Sequence, residues 1–291
     1  MYDSRMKIGL YSNLTRDINA RYTKVVYNIL LEKNVTVLFS NDLIGIDFGS
    51  DNGVNYYDNY NLAKDSDVVI VLGGDGTILG IAKECATFNT PIFAVNLGHK
   101  GFLSEGNKED LVRDFNDLFS GNYILDKRKL LKATIVGSST EYFALNDIVV
   151  AQSLSRIIKA EITVNGTLVD KYTSDGIIVA TPTGSTAYSL SAGGPIVAPD
   201  VSCFIISPIC AHSLHSRPLI VSSSSTVTVK ILSAEPSANV NVDGQIVNLI
   251  TNGNEVKITD SELSVSFIRR PSFNFYEKLL EKMRYWSSIE V

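Results

Sequence analysis

The run Gly73-Gly74-Asp75-Gly76-Thr77 stands between an apolar hexapeptide, residues 67–72 (DVVIVL), and a helical pattern over residues 77–88. A glycine-rich turn at the carboxyl end of a buried parallel strand, opening a helix, is a place for phosphates. The missing side chains let backbone N–H groups approach the anion, and the helix N-terminus adds a favourable dipole. A carboxylate inside such a turn repels phosphates unless it handles a metal or a proton. In phosphoryl transfer such an Asp orients the attacking hydroxyl and accepts its proton. The plainer reading of Asp75 is that it caps the helix. Two other phosphate devices are missing: there is no G-x-x-x-x-G-K-[ST], and no G-x-G-x-x-G follows the first strand.

A second constellation is TSDGIIVATPTGSTAYSLSAGGP, residues 173–195. Its apolar run, residues 177–180, delivers small and hydroxylated residues from Thr181 to Thr186, then Tyr188 and Ser191. Ser185 or Thr186 can cap a short helix, Gly184 lets a ligand approach the backbone, and Tyr188 can stack on a base. A flexible Gly/Ser/Thr loop is the alternative, and the stop at Gly193-Gly194-Pro195 argues against it. His212 and His215 read as structural histidines without metal-ligand spacing. The charge cluster at 108–114 (KEDLVRD) reads as a solvated helix face.

The elements that must position these residues change character near residue 125. Before it, strand patterns at 6–12, 35–39, 67–72 and 91–96 alternate with helical patterns at 16–33, 77–88 and 109–119. This alternation predicts a mostly parallel, doubly wound, Rossmann-like α/β domain over 1–125. The 16–33 helix should bury Tyr22, Val25, Val26, Ile29 and Leu30, and the polar segment 40–64 reads as a long surface loop. From 126 to 270 strands dominate, at 130–136, 142–145, 148–151, 160–164, 167–171, 177–180, 226–232, 240–242, 256–259 and 263–268. Asn165-Gly166 and Asp243-Gly244 are strong two-residue hairpin signals, and a β-rich, sandwich-like domain follows. Residues 271–291 return to helical spacing, with Phe275, Leu279, Met283 and Trp286 as an apolar stripe expected in the core. The chain has 291 residues, 45% hydrophobic and 20% charged, with a formal net charge of −5. These values fit a globular protein, and without a basic stripe nucleic acid is not an expected partner. No apolar run approaches the ~18 residues of a membrane span and no signal peptide pattern is visible. The expected compartment is the cytoplasm, with no membrane partner.

Taken in order, the motifs resemble those of the NAD kinases, which phosphorylate NAD to NADP. They are GGDGT at 73–77, NLGHKGFL at 96–103, LND at 145–147, SDGIIVATPTGSTAYSLSAGGP at 174–195, SPICAHSLHSRPL at 207–219 and VDGQ at 242–245. GGDGT alone is shared with diacylglycerol and sphingosine kinases; the TPTGSTAYSLSAGGP block and the Asn-Asp pair are more specific. The resemblance implies that Asp75 is the proton acceptor and that Gly73, Gly74, Gly76, Thr77 and His99 lie at the phosphate donor. It implies NAD contacts from Asp75, Gly76, Leu79, Phe102, Asn146, Asp147, Thr173, Asp175, Thr186, Ala187, Tyr188, Ser189, Leu190, Ser191 and Gln245. His99 stands where many members have Arg, and Thr173 where many have Arg or Lys. The resemblance further implies ATP or polyphosphate as donor, and Mg²⁺ or another divalent cation with ATP. On the same resemblance NAD is expected to be a substrate, held between an N-terminal α/β domain and a β-rich NAD-binding domain. The C-terminal helix is expected to pack back on the first domain, and the protein to form a homodimer or homotetramer. A lipid or sugar kinase with the same GGDGT turn, or a non-catalytic NAD(P)-binding sensor, are the alternatives.

Overall fold

The computed structural model describes residues 6–49, 55–98, 101–153, 157–213 and 215–289, with side chains to residue 285 in the last stretch. The chain forms two compact units, Met1–Lys127 with Ser264–Val291, and Arg128–Leu263.

In the first unit the order is β1 (Lys7–Ser12), α1 (Arg21–Glu32), β2 (Thr36–Ser40), β3 (Tyr56–Tyr57), α2 (Asn59–Asp65), β4 (Val68–Gly73), α3 (Asp75–Phe88), β5 (Ile92–Asn96), β6 (Gly106–Asn107) and α4 (Leu111–Ser120). The strands pair in parallel in the order β5-β4-β1-β2-β3, with β6 beside β5. Central β4 is buried along its whole length. A parallel strand covered by helices on both faces has no polar side to show, hence the unbroken apolar run.

Three local expectations need correction. The 40–64 segment is not simply a loop: it holds β3 and α2. The Asp58 carboxylate caps α2 by accepting from the Asn61 N–H at 2.8 Å, and Leu62 and Ala63 are fully buried. The 16–33 helix starts only at Arg21. Asn19 and Ala20 have φ of 59° and 53°, and the Asp17 carboxylate turns the chain by accepting from the N–H groups of Tyr22 and Thr23. On the helix itself Val25 faces outward, and Thr23 and Tyr27 are buried instead. In the third case, Asp114 of the supposed solvated face is buried and bonded to Arg270 Nη2 at 2.5 Å.

The second unit holds most of β7 (Ile124–Ile135), then β8 (Glu141–Ala144), β9 (Asp147–Gln152), β10 (Ile158–Val164), β11 (Thr167–Ser174), β12 (Gly176–Ala180), α5 (Tyr188–Ser191), β13 (Cys203–Ile209), β14 (Leu219–Ser222), β15 (Val227–Ser233), β16 (Ala238–Val242), β17 (Gln245–Ile250) and the start of β18 (Glu255–Arg269). Six strands form one sheet in the order β14-β13-β12-β9-β16-β17, and β11-β10-β15-β18 run together in another. Side chains of both sheets share one core, including Leu131, Ile148, Val150, Ile177, Phe204, Val229 and Ile258. The opposite face of β9, β12 and β13 is covered too, with Val149, Ile178 and Ile205 packed against Val197. Both hairpins form as expected, Asn165 and Asp243 taking φ of 52° and 48°.

The chain then returns to the first unit. Phe267 of β18 pairs in parallel with Ile92, and α6 (Phe275–Ile289) follows. Lys278 on α6 donates to the Ser104 carbonyl, so this helix does pack on the α/β unit. Its apolar stripe is not core: Phe275 and Leu279 are half-buried and Met283 is 45% exposed. The Trp286 side chain lies outside the described residues.

Candidate active site

β4 ends at Gly73 and α3 begins at Asp75, so the GGDGT run is a strand-to-helix turn. In an α-helix the first N–H groups have no intrahelical partner, and at the head of this helix of 14 residues they belong to the glycine-rich turn. Thr77 is buried and braces the turn. Its hydroxyl accepts from the Gly74 N–H and from the Asn13 side-chain amide, both at 3.3 Å. The Asp75 carboxylate does not cap its own helix. Oδ2 accepts from the Phe102 N–H at 2.8 Å and Oδ1 from the Leu103 N–H at 3.2 Å. An ionised carboxylate offers about four lone-pair sites, so each oxygen keeps acceptor capacity after these bonds. The approach is close: a Cβ at position 101 would lie 1.9 Å from Asp75 Oδ1, so a larger residue there must displace the carboxylate or the loop. Leu79, one turn into α3, and the Phe102 side chain are each half-buried. His99 lies outside the described residues.

In the second unit, Asn146 and Asp147 stand at the start of β9, beside the turn that leaves β12. Thr181 joins the two, its N–H donating to the Asn146 carbonyl at 2.9 Å and its hydroxyl to the Leu145 carbonyl at 2.6 Å. A Cβ at position 184 would lie 2.1 Å from the Asn146 oxygen, so here Gly allows contact between backbones rather than only with a ligand. Neither hydroxyl expected to cap α5 does so: Ser185 is buried on the backbone of Val197, and Thr186 donates to the Thr183 carbonyl. Thr186, Ala187 and Leu190 are half-buried, while Tyr188 is 48% exposed and Ser191 is exposed. Ser189 points inward, within 3.2 Å of the Ser207 hydroxyl. Asp175 precedes β12, at the opposite end from Thr181 and roughly 20 Å away along the strand, and Thr173 lies in β11 just before it. His212 and His215 are exposed rather than satisfied in the core.

The Asp243-Gly244 turn does more than reverse the chain. The Asp243 carboxylate accepts from the N–H groups of Leu145, Asn146 and Asp147 at 2.8, 2.7 and 3.1 Å. It therefore fixes the Asn-Asp pair, while Gln245 beside it is exposed. The choice of Asp over Asn in that hairpin was the one available signal. Burial, with the Asp243 charge adding to it, pushes the Asp147 carboxyl up from 3.8 to about 7. Burial also raises Asp243, against the opposing pull of its three N–H bonds. From about pH 4 to about pH 7 the folded chain then binds more protons at Asp147 than the unfolded chain. Stability contributed by this site is present at the acid end and is lost as pH rises through that window. Thermal midpoints compared between pH 5 and pH 8 should fall more steeply for the parent chain than for Asp147→Asn. Parallel slopes would contradict the assignment.

Among the described residues, no group of three or more His, Cys, Asp or Glu side chains is placed to hold a metal ion. Mg²⁺ keeps several waters and commonly needs only one or two carboxylates besides substrate phosphates. Asp75, whose oxygens keep acceptor capacity beside the Phe102 and Leu103 N–H groups, could share in holding such an ion.

Residues 8–123 match the family model described as ATP-NAD kinase N-terminal domain, and residues 145–270 match that of the ATP-NAD kinase C-terminal domain. The chain belongs to the ATP-NAD kinase family. An NAD kinase of Thermoanaerobacter sp. (strain X514) is 40% identical over 286 residues, covering 95% of this chain and 98% of its own. One from Clostridium botulinum (strain Loch Maree / Type A3) is 42% identical over 239 residues, covering 80% and 85%. Yeast NADH kinase complexed with NADH superposes with a TM-score of 0.87 at 25% identity, covering 98% of this chain and 89% of the yeast chain. An NAD kinase from Archaeoglobus fulgidus in complex with ATP gives a TM-score of 0.75 at 26% identity, covering 96% and 99%. The α/β unit followed by a β-rich unit and a C-terminal helix is thus the fold of this kinase family.

Proposed function

We propose that this chain transfers the terminal phosphoryl group of ATP, or of polyphosphate, to the adenosine-ribose 2′-hydroxyl of NAD, producing NADP, with Asp75 as proton acceptor. The observation that carries the role of Asp75 is its pair of N–H bonds from Phe102 and Leu103. They hold a carboxylate at the head of a glycine-rich helix N-terminus instead of leaving it to cap that helix. A base must be fixed within hydrogen-bond reach of the hydroxyl it deprotonates, and positioning is most of what a protein contributes to phosphoryl transfer. The N-terminus of α3, with its favourable dipole, is suited to the transferring phosphate. A divalent cation, arriving with the donor, would neutralise charge on its phosphate oxygens. ATP as donor is supported by the complex of the Archaeoglobus enzyme.

In this reading the β-rich part of the chain contributes Asn146, Asp147 and the 186–191 segment to NAD binding. Tyr188, nearly half exposed, is the ring available to stack on a base. Tyr188→Ala should raise KM for NAD by about five-fold, a stacked ring being worth on the order of 1 kcal/mol, and should leave kcat almost unchanged. An unchanged KM with a collapsed kcat would move Tyr188 into the chemistry. Asp175 stands at the far end of β12 from Asn146, and we read the working enzyme as a homodimer or homotetramer. Among the described residues no helix is long and apolar enough to cross a membrane, and the cytoplasm is the compartment this reading assigns. The reaction is tested by following NADP with an NADP-specific dehydrogenase in mixtures of NAD and Mg-ATP. Faster phosphorylation of diacylglycerol or of a sugar phosphate would overturn it.

A further inference from the structure

Residues 101–105 have no regular secondary structure, yet two of their N–H groups set the direction of Asp75. The opposite edge of this loop is held from far along the chain. Arg269, the last residue of β18, is completely buried. Its Nη1 donates to the Leu103 carbonyl at 2.7 Å, and Nη2 makes a long bond of 3.5 Å to the Phe102 carbonyl. Its charge is matched by Asp126, 3.1 Å from Nε, and by Glu105, 3.6 Å from Nη1. The guanidinium lies 4.6 Å from the centroid of the Phe273 ring, which leaves it little room to turn. Nine residues on, Lys278 donates to the Ser104 carbonyl, and Lys282 lies 5.7 Å from the centroid of the Phe102 ring.

The peptide between Phe102 and Leu103 is the link. A trans peptide is planar, so the Phe102 carbonyl and the Leu103 N–H point to opposite edges of one rigid unit. One edge faces Arg269 and the other bonds to Asp75 Oδ1. Hydrogen bonds chained through a poorly solvated peptide also polarise one another, so the cation strengthens the donor that meets the carboxylate.

We propose that Arg269 is a positioning residue for Asp75, with Lys278 in support: together they hold the carbonyls of residues 102–104 so that the Phe102 and Leu103 N–H groups fix the carboxylate. This rests on the reading of Asp75 as proton acceptor. Arg269→Lys keeps a positive charge between Asp126 and Glu105 but removes the planar fork. Its kcat should fall about ten-fold, less than the ~10²-fold that follows a misplacement of about 1 Å. KM for NAD should stay within about two-fold, as expected when only transition-state interactions are lost. The decisive readout is a double-variant cycle with Asp75→Asn. If Arg269 acts through Asp75, Arg269→Lys should cost nothing further in that background. Lys278→Met, which leaves Arg269 with Asp126 and Glu105, should give a smaller kcat loss that vanishes in the same way, and serves if Arg269→Lys fails to fold. An inactive Asp75→Asn beside Arg269 and Lys278 variants of unchanged kcat, or equal losses in both backgrounds, would overturn this proposal alone. Near wild-type turnover by Asp75→Asn would overturn the reading of Asp75 itself, and the proposal with it.

Discussion

Asp75→Asn should bind NAD with unchanged affinity and turn over ~10²–10⁴-fold more slowly, the usual contribution of a general base. The substitution is nearly isosteric, so the fold has little reason to change. One side-chain atom becomes an NH₂ donor, which cannot pair with either the Phe102 or the Leu103 N–H that the carboxylate now accepts. The amide should therefore rotate or lose one of these bonds, and in any rotamer it cannot take the proton of an attacking hydroxyl. Calorimetric titration with NAD, beside steady-state rates, separates the two effects. A kcat near that of the parent chain would remove Asp75 from the chemistry.

Gly101→Ala should be almost as damaging, although the residue carries no functional group. The added Cβ would stand 1.9 Å from Asp75 Oδ1 and 2.5 Å from its Cγ, far inside van der Waals contact. Either the carboxylate swings away or the 101–105 loop retreats, and each response breaks the N–H pair that aims the base. A shift of about 1 Å in a reacting group costs on the order of 10²-fold, so kcat should fall by that much. The thermal midpoint should fall as well if the loop retreats, because Leu103 is buried in it and its carbonyl holds the buried Arg269. Rates measured together with thermal melts check this. A variant that keeps parental kcat would mean that the loop does not govern Asp75.

The site was legible in the sequence to the extent that it depends on residue type and local order. The apolar run before GGDGT, the helical pattern after it and the two hairpin turns are local signals, and each produced its element. The strand Cys203–Ile209 was missed because a strand covered on both faces lacks the alternation of a half-buried one, and Ser207 and Pro208 break its apolar run. Helix α2 was missed because its burial rests on two residues, Leu62 and Ala63, within a polar segment. The contacts of Asp75 could not be read at all. Its partners are backbone N–H groups, which every residue except proline carries, so their placement belongs to the fold and not to side-chain identity. Nothing in residue type separates Arg269 from any other charged residue near a strand end; only its complete burial singles it out. Asp243 was read as a turn residue, and its grip on the Asn146–Asp147 backbone became visible only when strands far apart in sequence met.

The central claim is that one hydroxyl of NAD receives the phosphate, and product analysis by phosphorus NMR tests it most directly. A base held rigidly by two N–H bonds serves a single in-line acceptor. With NAD and Mg-ATP, one new monoester resonance should appear, on the adenosine ribose at the 2′ position. An NAD analogue lacking only that hydroxyl should bind and remain unmodified, while one lacking the nicotinamide-ribose 2′-hydroxyl should still be phosphorylated. Phosphate appearing on the first analogue, or on any other hydroxyl of NAD, would contradict the account.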